Sequence, residues 1–218
     1  SQSACAGLAD QLQLCAVTND GRLWHTIRYT NSWQAFGDVQ SQTGNGGSIT
    51  AVACAAVNDN LQVCAVNSEG RLWHTLRTPN SWTSWGDVEG QAGDRGAFQQ
   101  VSCAGIGGDL HLLGVNSDGR LWHTIRYAAG NWQAFGDVAG QTGDVGAFAN
   151  VSCTAIGSDL HVCGVTRDGS LWHTIRYADS WQAFGDIESQ AGERGGFANV
   201  SCTALNGELY VFGITSDG

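Results

Sequence analysis

One unit of sequence recurs along the whole chain, and this repeat limits the folds that the chain can adopt. The segment Gly-Arg-Leu-Trp-His-Thr-Ile-Arg at residues 21–28 returns, with at most one change, at 70–77, 119–126 and 169–176. Steps of 49 or 50 residues also separate five cysteines, Cys5, Cys54, Cys103, Cys153 and Cys202. A period of this length with several short strands per unit is typical of toroidal repeat proteins. Each unit has to stack on its neighbours to bury its apolar faces.

The fourth repeat shows the internal pattern of the unit. Strands A, B, C and D are predicted at residues 151–156, 160–165, 171–177 and 181–187, because β-branched and aromatic residues alternate there with turn signals. Asp168-Gly169 suits the tight hairpin between B and C. A long glycine-rich loop at 188–196 leads to the next strand A, and no stretch shows a helical period. A four-stranded meander of this kind is a β-propeller blade, so the predicted fold class is all-β.

The repeats predict a single propeller domain over residues 1–218 that contains about four and a half blades. The units fall approximately at 1–49, 50–98, 99–148 and 149–197, and a partial unit at 198–218 contains only strands A and B. Such a count does not close a standard ring. Two alternatives stay open: a truncated five-bladed ring, or a homodimer in which a second chain covers the exposed edge of the half blade and completes the ring.

Composition excludes several function classes. The net charge is −10, and all ten basic residues are arginine. An acidic chain without a basic block is a poor ligand for nucleic acid or for anionic membranes. No apolar run approaches the length of about 18 residues that membrane insertion needs. A CxxC motif or a Cys/His cluster at zinc spacing is missing, so we expect neither a metal nor a cofactor.

The eight cysteines allow two interpretations. Three pairs occupy equivalent places on strands A and B of one repeat: Cys5 and Cys15, Cys54 and Cys64, and Cys153 and Cys163. They would be cross-strand disulfides or buried free thiols. The second interpretation is favoured because Leu113 and Phe212 stand at the strand B position in the other two repeats.

The motifs Arg-Leu-Trp-His-Thr-Ile-Arg and Ser-Trp-Gln-Ala-Phe-Gly-Asp carry a resemblance to a known family. In these segments the chain resembles the tectonin/tachylectin-type propeller lectins, and among them the bacterial fucose- and galactose-binding propeller lectins. The resemblance implies a multivalent lectin with several shallow sugar sites, commonly between adjacent blades, and no catalysis. Its expected partners are fucose- or galactose-type glycans, which favours an extracellular place of action. The half blade departs from the usual whole-blade count and leaves the number of complete sites open.

The candidate sugar-binding residues lie where the B–C turn and the D–A loop meet at one end of each blade. Sugars need an aromatic platform for their C–H face and polar groups for their hydroxyls. The first repeat supplies these as Arg22, Trp24, Asp38, Gln42 and Asn45. The equivalent residues are Arg71, Trp73, Asp87, Gln91 and Asp94 in the second repeat, Arg120, Trp122, Asp137, Gln141 and Asp144 in the third, and Trp172, Asp186, Gln190 and Glu193 in the fourth. Ser170 replaces the arginine there, and we expect it to weaken the fourth site.

Structural roles are the alternative for each of these residue types. The tryptophans of strands C and D would then be wedges between blades, and the aspartates would cap the loop through side chain to backbone hydrogen bonds. We expect Arg28, Arg77, Arg126 and Arg176 to pair with acidic neighbours. The strand C histidines, His25, His74, His123 and His173, are expected to be satisfied structural groups. A propeller scaffold for protein partners is the alternative function, and four equivalent units speak against an enzyme.

Overall fold

The computed structural model describes residues 3–217 and contains four four-stranded antiparallel sheets and one two-stranded sheet. Blade 1 consists of β1 (Ser3–Leu8), β2 (Gln11–Val17), β3 (Leu23–Arg28) and β4 (Gly37–Asp38). Blade 2 consists of β5 (Ile49–Val57), β6 (Asn60–Asn67), β7 (Leu72–Arg77) and β8 (Gly86–Asp87). The prediction of an all-β fold with four-stranded antiparallel sheets is confirmed.

The later blades follow the same order. Blade 3 consists of β9 (Phe98–Ile106), β10 (Asp109–Asn116), β11 (Leu121–Arg126) and β12 (Gly136–Asp137). Blade 4 consists of β13 (Phe148–Ile156), β14 (Asp159–Thr166), β15 (Leu171–Arg176) and β16 (Gly185–Asp186). The half blade contains β17 (Phe197–Leu205) and β18 (Glu208–Thr215). Each sheet is a meander in chain order, because short turns join its neighbouring strands.

Strand D and the following loop differ from the prediction. The fourth strand is only two residues long in each blade. The start of the segment predicted as strand D is joined to strand C by an isolated β-bridge, such as Arg28 to Trp33. The glycine-rich loop contains a short helical turn in each blade: α1 (Gln40–Thr43), α2 (Val88–Ala92), α3 (Ala139–Thr142) and α4 (Glu188–Ala191). One turn is too short to give a readable helical period in the sequence, so periodicity could not detect it.

The B–C turns require glycine, as their sequence indicated. Gly70 has φ of 80°, a conformation that side chains of L residues rarely adopt. A Cβ atom at this position would lie 2.5 Å from the Cβ of Ala97. The turn therefore lies against the loop that leads into the next blade, and this contact holds the B–C turn and the D–A loop together at one end of the blade.

The apolar core lies between the blades. Each cluster of buried side chains joins the facing sheets of two neighbouring blades, as Cys15, Leu23 and Val63 do between blades 1 and 2. The first strands of the five sheets line an axial channel of about 720 Å³. Within residues 3–217 the array is open: side chains on the last strand stay uncovered, and Phe212 and Ile214 are each 61% exposed. No helix in this part of the chain is long and apolar enough to cross a membrane.

The strand register places the paired cysteines of one blade on opposite faces of its sheet. Cys54 stands opposite Val63, and Cys64 stands opposite Ala53. Because successive side chains in a strand point to opposite faces, Cys54 and Cys64 face different neighbouring blades. A disulfide within one blade is therefore excluded, and the same register applies in blades 1 and 4. All eight cysteines carry free thiols in this structure, and all but Cys5 are buried.

Candidate functional site

Arginine and aspartate of the predicted set meet at the end of each of the first three blades. Ion pairs join Arg22 to Asp38, Arg71 to Asp87 and Arg120 to Asp137. Arg71 also lies 3.6 Å from Glu89 and 3.7 Å from Asp94. The Asp87 contact raises the pKa of Arg71, so the guanidinium is firmly charged and engaged within the protein.

The aspartates also hold the helical turn that follows them. The Asp87 carboxylate accepts a hydrogen bond from the Gly90 N–H at 3.1 Å, as an N-cap residue does. Asp186, which has no arginine beside it because Ser170 occupies that position, accepts from the N–H of Glu188 at 2.8 Å. These bonds support the structural alternative for Asp87 and Asp186, since both carboxylates have partners without a ligand. Asp137 differs, because its buried Oδ1 has no hydrogen-bond partner among the described residues.

The loop residues of the predicted set bond locally. Asn45, Asp94 and Asp144 each accept a hydrogen bond at 2.9 Å from the backbone N–H two positions further on. Such turns are a normal structural use of Asn and Asp. Glu193 is exposed and contributes its backbone carbonyl to Arg194.

The strand C tryptophans are half-buried, and they present an unused donor. The indole N–H groups of Trp73, Trp122 and Trp172 are buried and have no hydrogen-bond partner among the described residues. Two guanidinium groups lie near Trp122, with Arg95 at 5.0 Å and Arg120 at 5.9 Å from the ring centroid. A buried unpaired donor is costly, so an acceptor from water or a ligand would stabilise it.

A cleft lies between adjacent blades, away from the B–C turn. Most of its lining residues are not among the predicted sugar-binding residues. Its volume is about 100 Å³, and its lining includes His25 and Gln42 of blade 1 and Arg77 and Trp82 of blade 2. The backbone and side chains of Gln34, Gly37 and of 79–81 complete the wall. Of the predicted set, only Gln42 lies here. Its equivalents Gln91 and Gln141 lie against Gly86 and Gly136 in the same way, whereas Gln190 does not lie against Gly185.

An aromatic contact across the blade boundary defines each of these clefts. The ring centroids of His25 and Trp82 are 5.3 Å apart, in an edge-to-face arrangement. The same contact joins His74 to Trp132 and His123 to Trp181, each at 5.4 Å. The described residues thus repeat this aromatic contact at three blade boundaries. Trp33 has no preceding blade in this structure and is 54% exposed.

An arginine that forms no ion pair with the described residues lies beside each aromatic contact. Burial lowers the pKa of Arg77, and the Arg77 charge contributes to lowering the pKa of His25. Arg126 and Arg176 lie close enough to affect His74 and His123 in the same way. The expectation that Arg28 and its equivalents pair with acidic residues is wrong. Arg28 and Arg176 donate to backbone carbonyls at 3.2 Å, and none of the four forms an ion pair within the described chain.

The strand C histidines are satisfied within their own blades. His25 and His74 bond to Gln13 and Gln62 at 2.9 and 2.7 Å, and His123 and His173 bond to His111 and His161 at 3.2 Å. Burial lowers the pKa of His25 to about 4 and that of His74 to about 3. The neutral rings of His25, His74 and His123 each lie against the tryptophan of the next blade. Residues 3–217 contain no cluster of three His, Cys, Asp or Glu side chains suited to a metal.

The four-stranded sheets, with their first strands around an axial channel, define the fold as an open array of the β-propeller type. No protein-family model matches the chain, and no curated protein matches it in sequence. Solved structures do match in fold. The Aleuria aurantia lectin, described as a six-bladed β-propeller with a novel fucose recognition mode, gives a TM-score of 0.67 at 15% identity, over 98% of this chain and 70% of that chain.

Two further lectins show the same likeness. SapL1 in complex with alpha methyl fucoside gives a TM-score of 0.71 at 14% identity, over 99% of this chain and 73% of that chain. The BP39L lectin from Burkholderia pseudomallei gives 0.66 at 17% identity, over 97% of this chain and 65% of that chain. At these identities the comparisons establish the fold. The tectonin-type relationship stays a prediction.

Proposed function

We propose that the protein is a multivalent carbohydrate-binding lectin for fucose- or galactose-type glycans, and that it is not an enzyme. The repeated inter-blade cleft is the observation that carries this proposal. It offers the same aromatic, amide and guanidinium groups at three blade boundaries. The likeness to fucose-binding propeller lectins supports the choice of ligand class.

The chemistry of the cleft suits a sugar. The half-buried Trp82 ring offers an apolar platform for the C–H face of a pyranose. Arg77 has donors that no carboxylate of the described chain occupies, and the amide of Gln42 both donates and accepts. A sugar hydroxyl or ring oxygen can therefore be hydrogen-bonded from both blades at once.

The predicted set at the B–C turn is the alternative site. The unpaired indole N–H groups of Trp73, Trp122 and Trp172 favour it, because each lacks an acceptor. A pocket of about 200 Å³ also opens beside Arg120 and Asp144. The ion pairs and turn bonds described above count against it, because a ligand would have to compete with them.

Titration calorimetry with methyl α-fucoside and methyl α-galactoside tests the proposal directly. We expect weak binding at about three sites per chain, with much tighter binding to a surface that displays many glycans, because later contacts become intramolecular. No heat at millimolar ligand, together with no bound glycan on an array, would exclude the lectin function.

We further propose that a second copy of the chain covers the half blade. Phe212 and Ile214 are each 61% exposed and Leu205 is 56% exposed on one side of this sheet, which in the other blades is buried against a neighbour. Light scattering should then give the mass of a dimer, and Phe212→Ser should shift it to that of one chain. A single-chain mass for the unaltered protein would reject this proposal.

A further inference from the structure

Cysteine side chains of neighbouring blades face each other across three of the blade boundaries. In blade 2 the register points Cys54 towards blade 1 and Cys64 towards blade 3. Across the first boundary Cys54 meets Cys15, across the second Cys103 meets Cys64, and across the fourth Cys202 meets Cys163. The two members of each pair are 39 positions apart in the sequence. This spacing is shorter than one repeat, so a comparison of equivalent positions does not reveal it.

The core clusters place the members of each pair together. Cys15 and Cys54 belong to the cluster between blades 1 and 2, Cys64 and Cys103 to that between blades 2 and 3, and Cys163 and Cys202 to the last one. All six thiols are buried, at 8% exposure or less. Contact with the thiol of Cys15 raises the pKa of Cys54, and contact with Cys64 raises the pKa of Cys103.

The third boundary, between blades 3 and 4, has no pair of facing cysteines. Cys153 lies in the cluster between blades 3 and 4, but the facing position holds Leu113. Its sulfur instead lies 3.3 Å from the Ser102 hydroxyl, which stands opposite Leu113 in the register of its blade. Burial raises the pKa of this thiol as well. Leucine is therefore compatible with a packed boundary, and the thiol pairs are not needed for shape alone.

We propose that the three boundaries with facing cysteines are sites for inter-blade disulfide bonds: Cys15 to Cys54, Cys64 to Cys103, and Cys163 to Cys202. A small-molecule disulfide such as oxidised glutathione is the oxidant. One protein thiolate attacks the glutathione disulfide and releases one glutathione thiol. The second protein thiolate then attacks the mixed disulfide and releases the other, so two electrons and two protons pass from the protein to glutathione.

The burial of the thiols determines when this exchange takes place. A thiolate has to reach the attacked disulfide, and in the folded protein all six thiols are buried, at 8% exposure or less. The exchange therefore takes place while the blades are still stacking. Once folded, the protein keeps its cysteines oxidised or reduced, as they were when it folded. The bonds would tie neighbouring sheets together at the first, second and fourth boundaries, and the first two of these also carry the contact between His and Trp.

Refolding from denaturant in a mixture of oxidised and reduced glutathione tests the proposal. Free thiols are alkylated in denaturant, and the digested protein is examined by mass spectrometry. We expect three cross-linked peptide pairs, each lacking two hydrogen atoms, with Cys5 and Cys153 alkylated. The oxidised protein should melt at least about 5 °C above the reduced protein. Alkylation of all eight cysteines after this treatment, or cross-links within one blade, would overturn the proposal.

Two variants make the test specific. Leu113→Cys should add a fourth cross-link, to Cys153, because it places a thiol at the same position as Cys64. Cys64→Leu copies the natural arrangement at the third boundary and should remove only the link to Cys103. If Leu113→Cys folds but its new thiol stays free while the other links form, the assignment of facing positions is wrong.

Discussion

The indole of Trp82 stands edge-on to the imidazole of His25 across a blade boundary, with an angle of 81° between the rings. His25 is fixed from behind by Gln13, and Trp82 follows directly on the C–D turn of the next blade. The tryptophan therefore has two roles, because one part of it packs on the neighbouring blade and another lines the cleft. Its equivalents Trp132 and Trp181 make the same contact.

Replacing Trp82 should remove one sugar site. In Trp82→Ala the platform for the sugar is lost, and the affinity of that cleft should fall about tenfold or more. Calorimetry with methyl α-fucoside should then detect two sites in place of three. Trp33→Ala is the matched control, because Trp33 has the same place in its repeat but faces no histidine in this structure. Equal loss of binding in both variants would contradict the assignment of the cleft.

Replacing Arg71 distinguishes the two candidate sites. Arg71→Ser copies the natural Ser170 and removes the cation nearest to the buried Glu89. We expect the free energy of unfolding to fall by about 1–3 kcal/mol, because a buried carboxylate loses a partner. The sugar affinity should stay unchanged. A loss of sugar binding in the folded variant would favour the site at the B–C turn.

Arg120→Ser is the matched control for this stability effect. Ala139 stands where blade 2 has Glu89, so the variant leaves no buried carboxylate at that position. Its ion pair with Asp137 is half-exposed, at 51% for the arginine side chain. We expect a smaller effect on urea unfolding, about 0.5 kcal/mol. A larger loss than in Arg71→Ser would show that Glu89 does not account for the difference.

Stability should fall as the pH is lowered through the histidine range. Burial lowers the pKa of His25 to about 4 and that of His74 to about 3, below the value of about 6.5 in an unfolded chain. The unfolded state therefore binds more protons between these values, and stability is complete above pH 6.5 and decreases towards pH 4. Urea unfolding should show a loss of at least about 2 kcal/mol between pH 7 and pH 5.

The chain provides its own control for this pH effect. Gln62 holds His74 in blade 2, while His111 takes the same place beside His123 in blade 3. His111→Gln should keep the hydrogen bond and remove one buried titrating group, which burial now holds at a pKa of about 4. The dependence on pH should become weaker. A stability that does not change from pH 7 to pH 5 in the unaltered protein would disprove this account.

Much of the fold could be predicted because the repeat fixes equivalent positions and the strands alternate in the usual way. The Asp-Gly turns, the four strands and the meeting of Arg71 with Asp87 all follow from local pattern and meander topology. The helical turns and the break in strand D could not be read, since each is too short for a periodic signal.

The cleft between blades was missed for a different reason. His25 and Trp82 belong to different repeats and to opposite ends of strands C and D, and only the stacking angle of the sheets brings them together. The offset of 39 residues between facing cysteines has the same origin. One signal was available: the tryptophan after the C–D turn occurs in all four complete repeats, as an uncommonly large residue next to a turn.

A pair of positions changes together within the chain, and this predicts a packing constraint. Where strand A begins with Phe98, Phe148 or Phe197, strand B has Gly114, Gly164 or Gly213; blade 2 combines Ile49 with Ala65. A Cβ atom on Gly114 would lie 2.6 Å from the Phe98 ring. Gly114→Ala should therefore destabilise the protein by about 1–3 kcal/mol through overpacking. Phe98→Ile alone makes a cavity. The double variant, Phe98→Ile with Gly114→Ala, copies blade 2. Its loss of stability should be smaller than the sum of the two single losses, by about 1 kcal/mol or more. Additive effects in thermal unfolding would show that the two side chains do not compete for the same space.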